Sequence, residues 1–164
     1  MVKKTITKDE LFNIIAQIPD PEIPVLSIGE LGVLRNIEMH QDKVVVVITP
    51  TYSGCPAMKF FEQEILSVAK EAGVNYVEIK TIYSPVWTTD WISDTAKMKL
   101  KEYGIAPPQG TSDKSFLFGQ PKKINCPKCH SENTELKSQF GSTSCKALYF
   151  CKQCTEPFEY FKCI

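Results

Sequence analysis

Val44-Val45-Val46-Val47-Ile48-Thr49-Pro50-Thr51-Tyr52-Ser53-Gly54-Cys55-Pro56 is the stretch on which the fold turns. Its first five residues are β-branched and apolar without alternation, the signature of a strand covered on both faces rather than one. A loop of hydroxyl residues and glycine follows. Pro56 then takes the first position of a helix, where proline's missing N–H costs nothing. Ala57, Phe61, Ile65, Val68 and Ala69 recur at helical spacing to form one apolar face, and Gly73 ends the helix.

The elements on either side extend this strand–loop–helix unit. Residues 32–40 read as a strand, Gln41-Asp42 as a tight turn and residues 43–49 as its partner. Upstream, Thr7 and Glu10 have the spacing of a capping box, opening an amphipathic helix that runs to about Ile18 with Leu11, Ile14, Ile15 and Ile18 on one face. Asp20-Pro21-Glu22-Ile23-Pro24-Val25 holds two prolines too close for a helix and reads as an ordered loop or turn. Downstream, residues 76–82 form a third strand. Thr88, Thr89 and Asp90 offer an N-cap for a helix ending at Tyr103-Gly104, with Pro107-Pro108 beyond. The expected fold class is α+β, a small three-stranded sheet with helices over residues 1–104.

Residues 105–125 shift to Gly, Pro, Ser and Lys around Phe116-Leu117-Phe118 and read as a linker with one apolar segment. Residues 126–164 form a unit of 39 residues holding six of the seven cysteines. Below ~40 residues a domain usually needs a covalent or metal staple. Cys126-Pro127-Lys128-Cys129 and Cys151-Lys152-Gln153-Cys154 supply one, as two CxxC knuckles with 21 residues between them. Each knuckle brings two thiolates to a turn, and two knuckles complete a tetrahedral zinc shell. Phe140, Leu148, Tyr149, Phe150, Phe158, Tyr160 and Phe161 suit the β-hairpins of a zinc ribbon. Four thiolates leave no position for water, so this zinc is structural. Cys145 and Cys163 are left over: substitutes for a knuckle cysteine, a pair with each other, or small buried apolar residues, the last being the favoured reading.

The seventh cysteine, Cys55, stands at a helix start. Unpaired N–H groups and the positive dipole end there favour a thiolate and predict a lowered pKa. Such a sulfur serves as a nucleophile, a redox centre, or a ligand to iron or a cluster; the plainer reading is a small buried residue at a strand–helix junction. Hydroxyls at Thr49, Thr51, Tyr52 and Ser53 favour the former, and no histidine lies near in sequence to act as its base. Glu22 is a candidate second ligand, or partner of the Cys55 loop. Trp87-Thr88-Thr89-Asp90-Trp91 reads as core aromatics around a helix cap, or as a docking surface. His40 and His130 read as surface residues.

Composition removes several classes of function. Nineteen cations balance nineteen anions, and Arg35 is the only arginine. A neutral chain without arginine clamps is not a general nucleic-acid binder. No stretch approaches the ~20 apolar residues that span a bilayer, and the lysines at the N-terminus precede no apolar segment, so a cytoplasmic location is expected. In that reducing compartment paired cysteines more often bind metal than form disulfides.

Asp20-Pro21-Glu22-Ile23-Pro24-Val25, Gly29-Glu30-Leu31-Gly32, residues 49–56 and residues 87–93 resemble the small domain of iron–sulfur assembly factors, which include SufT-like proteins and eukaryotic cytosolic iron–sulfur targeting proteins. With the cysteine-rich tail through Cys163, nearly the whole chain is similar to a family of small accessory proteins of bacterial phenylacetyl-CoA epoxidase systems, which serve aerobic phenylacetate breakdown. The resemblance gives the reactive-cysteine role to Cys55 and the acidic-loop role to Glu22, with zinc held by the tail and iron or an iron–sulfur cluster held transiently. Glu30 stands where many of these factors have Asp. The resemblance implies, as partners, the epoxidase's oxygenase subunits, its iron–sulfur flavin reductase, or both. It implies help in maturing a metal centre rather than independent catalysis. No Glu-x-x-His pair for di-iron and no Gly-rich dinucleotide loop is present. A non-catalytic structural subunit and a thiol enzyme are the competing readings, and a homo-oligomer stays open.

Overall fold

A computed structural model describes residues 6–109 and 122–162. Phe116-Leu117-Phe118 and Cys163 lie outside the described residues. The chain divides into two compact units, Met1–Trp87 and Thr88–Ile164.

The first unit opens with α1 (Lys8–Ala16), whose capping box is complete: Thr7 accepts from the Glu10 amide, and the Glu10 side chain accepts from the Thr7 amide. Leu11, Ile15 and Ile18 are buried, whereas Ile14 is 43% exposed and rims a groove between α1 and the second helix instead of entering the core. β1 (Leu34–Met39) and β2 (Val44–Ile48) pair antiparallel. Helix α2 (Ala57–Glu71) then crosses to β3 (Val77–Thr81), which pairs parallel with β2. The sheet order β1-β2-β3 makes β2 central, and all five of its residues are buried, as the unbroken apolar run requires. Ala57, Phe61, Ile65 and Ala69 bury the inner face of α2, with Val68 half-buried. Trp87 is fully buried and donates its indole N–H to the Leu31 carbonyl at 2.8 Å, so it is a core residue and not a docking one.

Between α1 and β1 the chain runs close to the helix end. The Gly29 amide donates to the Ala16 carbonyl at 3.1 Å. A Cβ at Gly29 would stand 2.7 Å from the Ala16 Cβ and 2.9 Å from its oxygen, distances that force the backbone apart. Gly29→Ala should cost about 1–3 kcal/mol through this overpacking, read as a lower denaturation midpoint with an unchanged slope. Glu30 closes the adjacent turn: its carboxylate accepts from the Ser27 amide at 3.1 Å, and its own amide donates to the Ser27 hydroxyl.

The second unit corrects two expectations. The helix expected to start at Thr88–Asp90 begins later. Thr89–Trp91 form a 3₁₀ turn, Ile92 is extended, and α3 (Asp94–Tyr103) is capped by Ser93, whose hydroxyl accepts from the Ala96 amide at 3.1 Å. Thr88 makes no side-chain capping hydrogen bond, whereas Ser93 does, and the extended backbone of Ile92 (ψ 124°) separates the 3₁₀ turn from the helix. Nor does the chain divide after residue 104 with a linker beginning at 105. Ile105–Ala106 are β4, and they pair parallel with Glu159 and Tyr160. With β5 (Thr134–Ser138), β6 (Lys146–Cys151) and β7 (Pro157–Phe161), they build a sheet of order β4-β7-β6-β5. Its core is Ala106, Ile124, Ala147, Tyr149, Phe158 and Tyr160 around the buried Cys126 and Cys151. Tyr149 stacks on Phe158 with ring centres 5.7 Å apart, and its hydroxyl donates to the Lys122 carbonyl. Phe140, one of the aromatic residues expected in the ribbon's hairpins, follows β5 and is 64% exposed, with the Lys162 ammonium 4.7 Å above its ring. Among the described residues no helix is long and apolar enough to cross a membrane.

Candidate thiol site and metal centre

Cys55 sits half-buried where the β2–α2 loop becomes helix. The loop is wound tightly: Gly54 takes φ +82°, the Cys55 amide donates to the Tyr52 carbonyl at 3.3 Å, and the Cys55 carbonyl accepts from the Met58 amide at 3.3 Å. A positive φ at residue 54 is why the loop needs glycine there. The sulfur borders a cavity of about 420 Å³ lined by Pro50, Met58, Lys59, Glu62, Thr81 and Tyr83.

The electrostatics reverse the expected direction. Burial pushes the Cys55 thiol above its ordinary value, and the Glu22 and Asp20 carboxylates push it the same way. The Ala57 amide and the Thr51 hydroxyl, both hydrogen-bonded to the sulfur, oppose them without prevailing. The helix terminus does what the sequence implies, but desolvation and two neighbouring anions outweigh it. Cys55 alkylation should therefore follow a pH midpoint above the usual ~8.5 of a free thiol, and Glu22→Gln should bring that midpoint down. Iodoacetamide labelling across pH, read by peptide mass, checks both.

Glu22 thus reaches Cys55 through its field, and so does a residue the sequence reading passed over. Asp20 is 9% exposed, and its Oδ1 accepts from the Glu22 and Ile23 amides, both at 2.8 Å. Its own amide donates to the Leu26 carbonyl at 2.8 Å, closing the loop that carries Glu22. An aspartate whose side chain takes amides two and three residues on is the mark of an Asx turn, and that signal was present in Asp20-Pro21-Glu22-Ile23. Neither histidine joins this site: His40 pairs with Glu38 on the surface at 3.6 Å, and His130 follows the first knuckle.

The tail cysteines converge. The sulfurs of Cys126, Cys129, Cys151 and Cys154 all lie within 4.8 Å of one another, with Cys126–Cys154 at 3.7 Å and Cys129–Cys151 at 3.5 Å. Zinc–sulfur bonds of ~2.3 Å at tetrahedral angles space sulfurs by about 3.8 Å, so the four fit one zinc ion. The two knuckles are built alike. The amide of each first cysteine donates to the carbonyl five residues on, Cys126 to Ser131 at 3.0 Å and Cys151 to Glu156 at 2.9 Å. The residue after each second cysteine is left-handed, with His130 at φ 63° and Thr155 at φ 59°. The Cys154 amide holds the Cys151 thiol down to about 7, while burial and the adjoining sulfurs push Cys154 up to about 12. Four thiolates at this spacing repel unless a cation sits among them, which is the condition zinc satisfies. Cys145 stands apart from the four, buried at the head of β6 with its sulfur 3.0 Å from the Thr143 hydroxyl.

Comparison with known proteins follows the same division. The family described as "Iron-sulfur cluster assembly protein" matches residues 8–83, and the family described as "PaaD zinc beta ribbon domain" matches residues 110–162. A protein of Escherichia coli (strain K12) named as a component of 1,2-phenylacetyl-CoA epoxidase is 47% identical over 94% of this chain and 92% of its own length. An "Fe-S protein maturation auxiliary factor" of Porphyromonas gingivalis is 31% identical over 57% of this chain and 90% of its own length. Among solved structures, a domain of unknown function from Bacillus anthracis shares the fold of the first unit, with a TM-score of 0.53 at 24% identity over 57% of this chain and 90% of that one. With a relative this similar along nearly the whole length, and an assembly-type domain joined to the same kind of ribbon, the chain belongs to the PaaD family.

Proposed function

We propose that this protein is an accessory factor of a 1,2-phenylacetyl-CoA epoxidase in phenylacetate breakdown. Its task there is to help mature an iron–sulfur or di-iron centre in an oxygenase subunit or in the reductase. Cys55 takes the iron or cluster as cargo, Glu22 assists it, and Cys126, Cys129, Cys151 and Cys154 hold a structural zinc. The observation that carries this reading is the charge arrangement at Cys55, a thiol beside a cavity and under the field of two carboxylates. Such surroundings disfavour a free thiolate and favour a cation, because a metal ion inverts the local balance and deprotonates the thiol it binds. They suit an iron carrier better than a nucleophilic enzyme, whose cysteine needs a depressed pKa. The relatives named for Fe–S protein maturation support the same assignment for the first unit.

In cells carrying Cys55→Ser in place of the native protein, epoxidase subunits should accumulate in normal amounts but deficient in iron, measured on the purified complex. Normal iron with lost activity would favour the structural-subunit reading. Normal iron with normal activity would remove Cys55 from function altogether.

A further inference from the structure

β3 is an edge strand, and its outer edge carries a pattern that complements itself. The Tyr76 carbonyl accepts from the Val44 amide and the Ile82 amide donates to the Ile48 carbonyl, each at 2.9 Å. Strand alternation in a parallel ladder then gives the even-numbered residues 76–82 to β2 and turns the N–H and C=O groups of Val77, Ile79 and Thr81 outward. No strand pairs with that edge among the described residues.

A second β3 laid antiparallel and centred on Ile79 would meet those outward groups in register. Val77 falls opposite Thr81, and Ile79 opposite Ile79, as hydrogen-bonded pairs. The positions between them, where facing side chains come closest, set Glu78 opposite Lys80 and Lys80 opposite Glu78. On the same face Tyr76 falls opposite Ile82 at both ends. One face of this pairing thus holds two opposite-charge pairs flanked by two aromatic–β-branched pairs, both favourable classes of cross-strand contact. These side chains are available: Tyr76 is 73% exposed, the Glu78 side chain 55% exposed, Lys80 exposed and Ile82 half-buried. Glu78 also pairs with Lys43 of its own chain. A shift of two residues in this register faces like charges or loses both ion pairs.

We infer that the partner of this edge is a second copy of the chain, joined β3 to β3 about a two-fold axis through Ile79 into a continuous six-stranded sheet. The contact is isologous, so it closes at two copies and does not grow into a fibre. Thr81 and Tyr83 line the Cys55 cavity, so the two cavities lie at opposite ends of the paired strands.

A charge-reversal experiment tests this on the full-length, zinc-loaded chain by sedimentation velocity from micromolar to sub-millimolar concentration. The unaltered protein should dimerise. Lys80→Glu sets Glu78 against a second glutamate, Glu78→Lys sets two lysines together, and each should weaken the dimer about tenfold. An equimolar mixture of the two variants restores both opposite-charge pairs and should regain dimer at the unaltered affinity. Because these positions are exposed, unchanged melting of each variant separates lost association from lost folding. A protein monomeric at every concentration overturns the inference. So does a dimer that neither variant weakens, or a mixture that associates no better than its components.

Discussion

Chelating the metal from this protein should unfold residues 126–162 while the three-stranded unit stays folded. The ribbon sheet closes around only a small core, with the buried Cys126 and Cys151 inside it. So little apolar surface cannot by itself offset the conformational entropy of a unit this size. The binding free energy of a four-thiolate zinc, on the order of 10 kcal/mol or more at neutral pH, is then folding free energy. Elemental analysis should find about one zinc per chain. After chelation, hydrogen exchange should lose protection across β5, β6 and β7 while α1, β2 and α2 keep theirs. Cys126→Ser should reproduce this without chelator, because it leaves three thiolates and an opened shell. Cys145→Ser should not, because Cys145 lies outside the four. A metal-free ribbon that kept its protection would assign its stability to the aromatic core instead.

Breaking the Lys146–Glu159 ion pair should be the most damaging change in the ribbon apart from loss of the four knuckle cysteines. The Lys146 side chain is 3% exposed, and its ammonium meets the Glu159 carboxylate at 2.9 Å on the facing strand. Glu159 is held from its other side by the Ser142 amide at 2.5 Å, in space that a side chain at Gly141 would fill. Removing one member of such a pair strands a charge in low dielectric, at a cost of about 3–5 kcal/mol. Glu159→Leu, which strands the buried ammonium, should cost that much by denaturant titration of the zinc-loaded protein. Lys146→Leu should cost less, because the Glu159 side chain is 23% exposed and keeps the Ser142 amide. The double Leu variant should recover most of the loss. Burial tends to raise the Glu159 carboxyl, but the Ser142 amide and the Lys146 ammonium prevail and hold it below the ordinary range. The sign of the pH effect follows. A carboxylate depressed in the folded state stabilises above the unfolded value of ~4.3, and that stability fades as pH falls through the folded value. Two single losses that simply added would mean that the charges do not depend on each other.

The elements that could be read from sequence are those whose signal is local. Five apolar residues without alternation at Val44–Ile48 admit only a strand covered on both sides. Thr7 and Glu10 satisfy each other three residues apart. Two CxxC knuckles carry metal-ligand spacing whatever the path between them, and the four sulfurs converge accordingly. Local signals misled where another part of the chain had the stronger hold. Thr88–Asp90 offered a cap, yet Thr88 caps nothing with its side chain, Ile92 is extended, and the Ser93 hydroxyl caps the helix instead. Ile105–Ala106 read as the start of a linker because a two-residue strand has no pattern of its own, and only its partner β7 makes it one.

The same division holds at the sites. The chemistry of sulfur and the periodicity of apolar side chains follow from composition and spacing, so the ribbon, the central strand and a thiol at a helix start were all determined by the sequence itself. The state of that thiol was not. It depends on how deeply Cys55 is buried and on the carboxylates of Asp20 and Glu22, more than thirty positions away in the chain. Electrostatic energy varies with distance in space and with local dielectric, neither of which is a property of sequence order. Tertiary structure alone decided that burial and two carboxylates push the Cys55 thiol above its ordinary value, against the pull of its own helix.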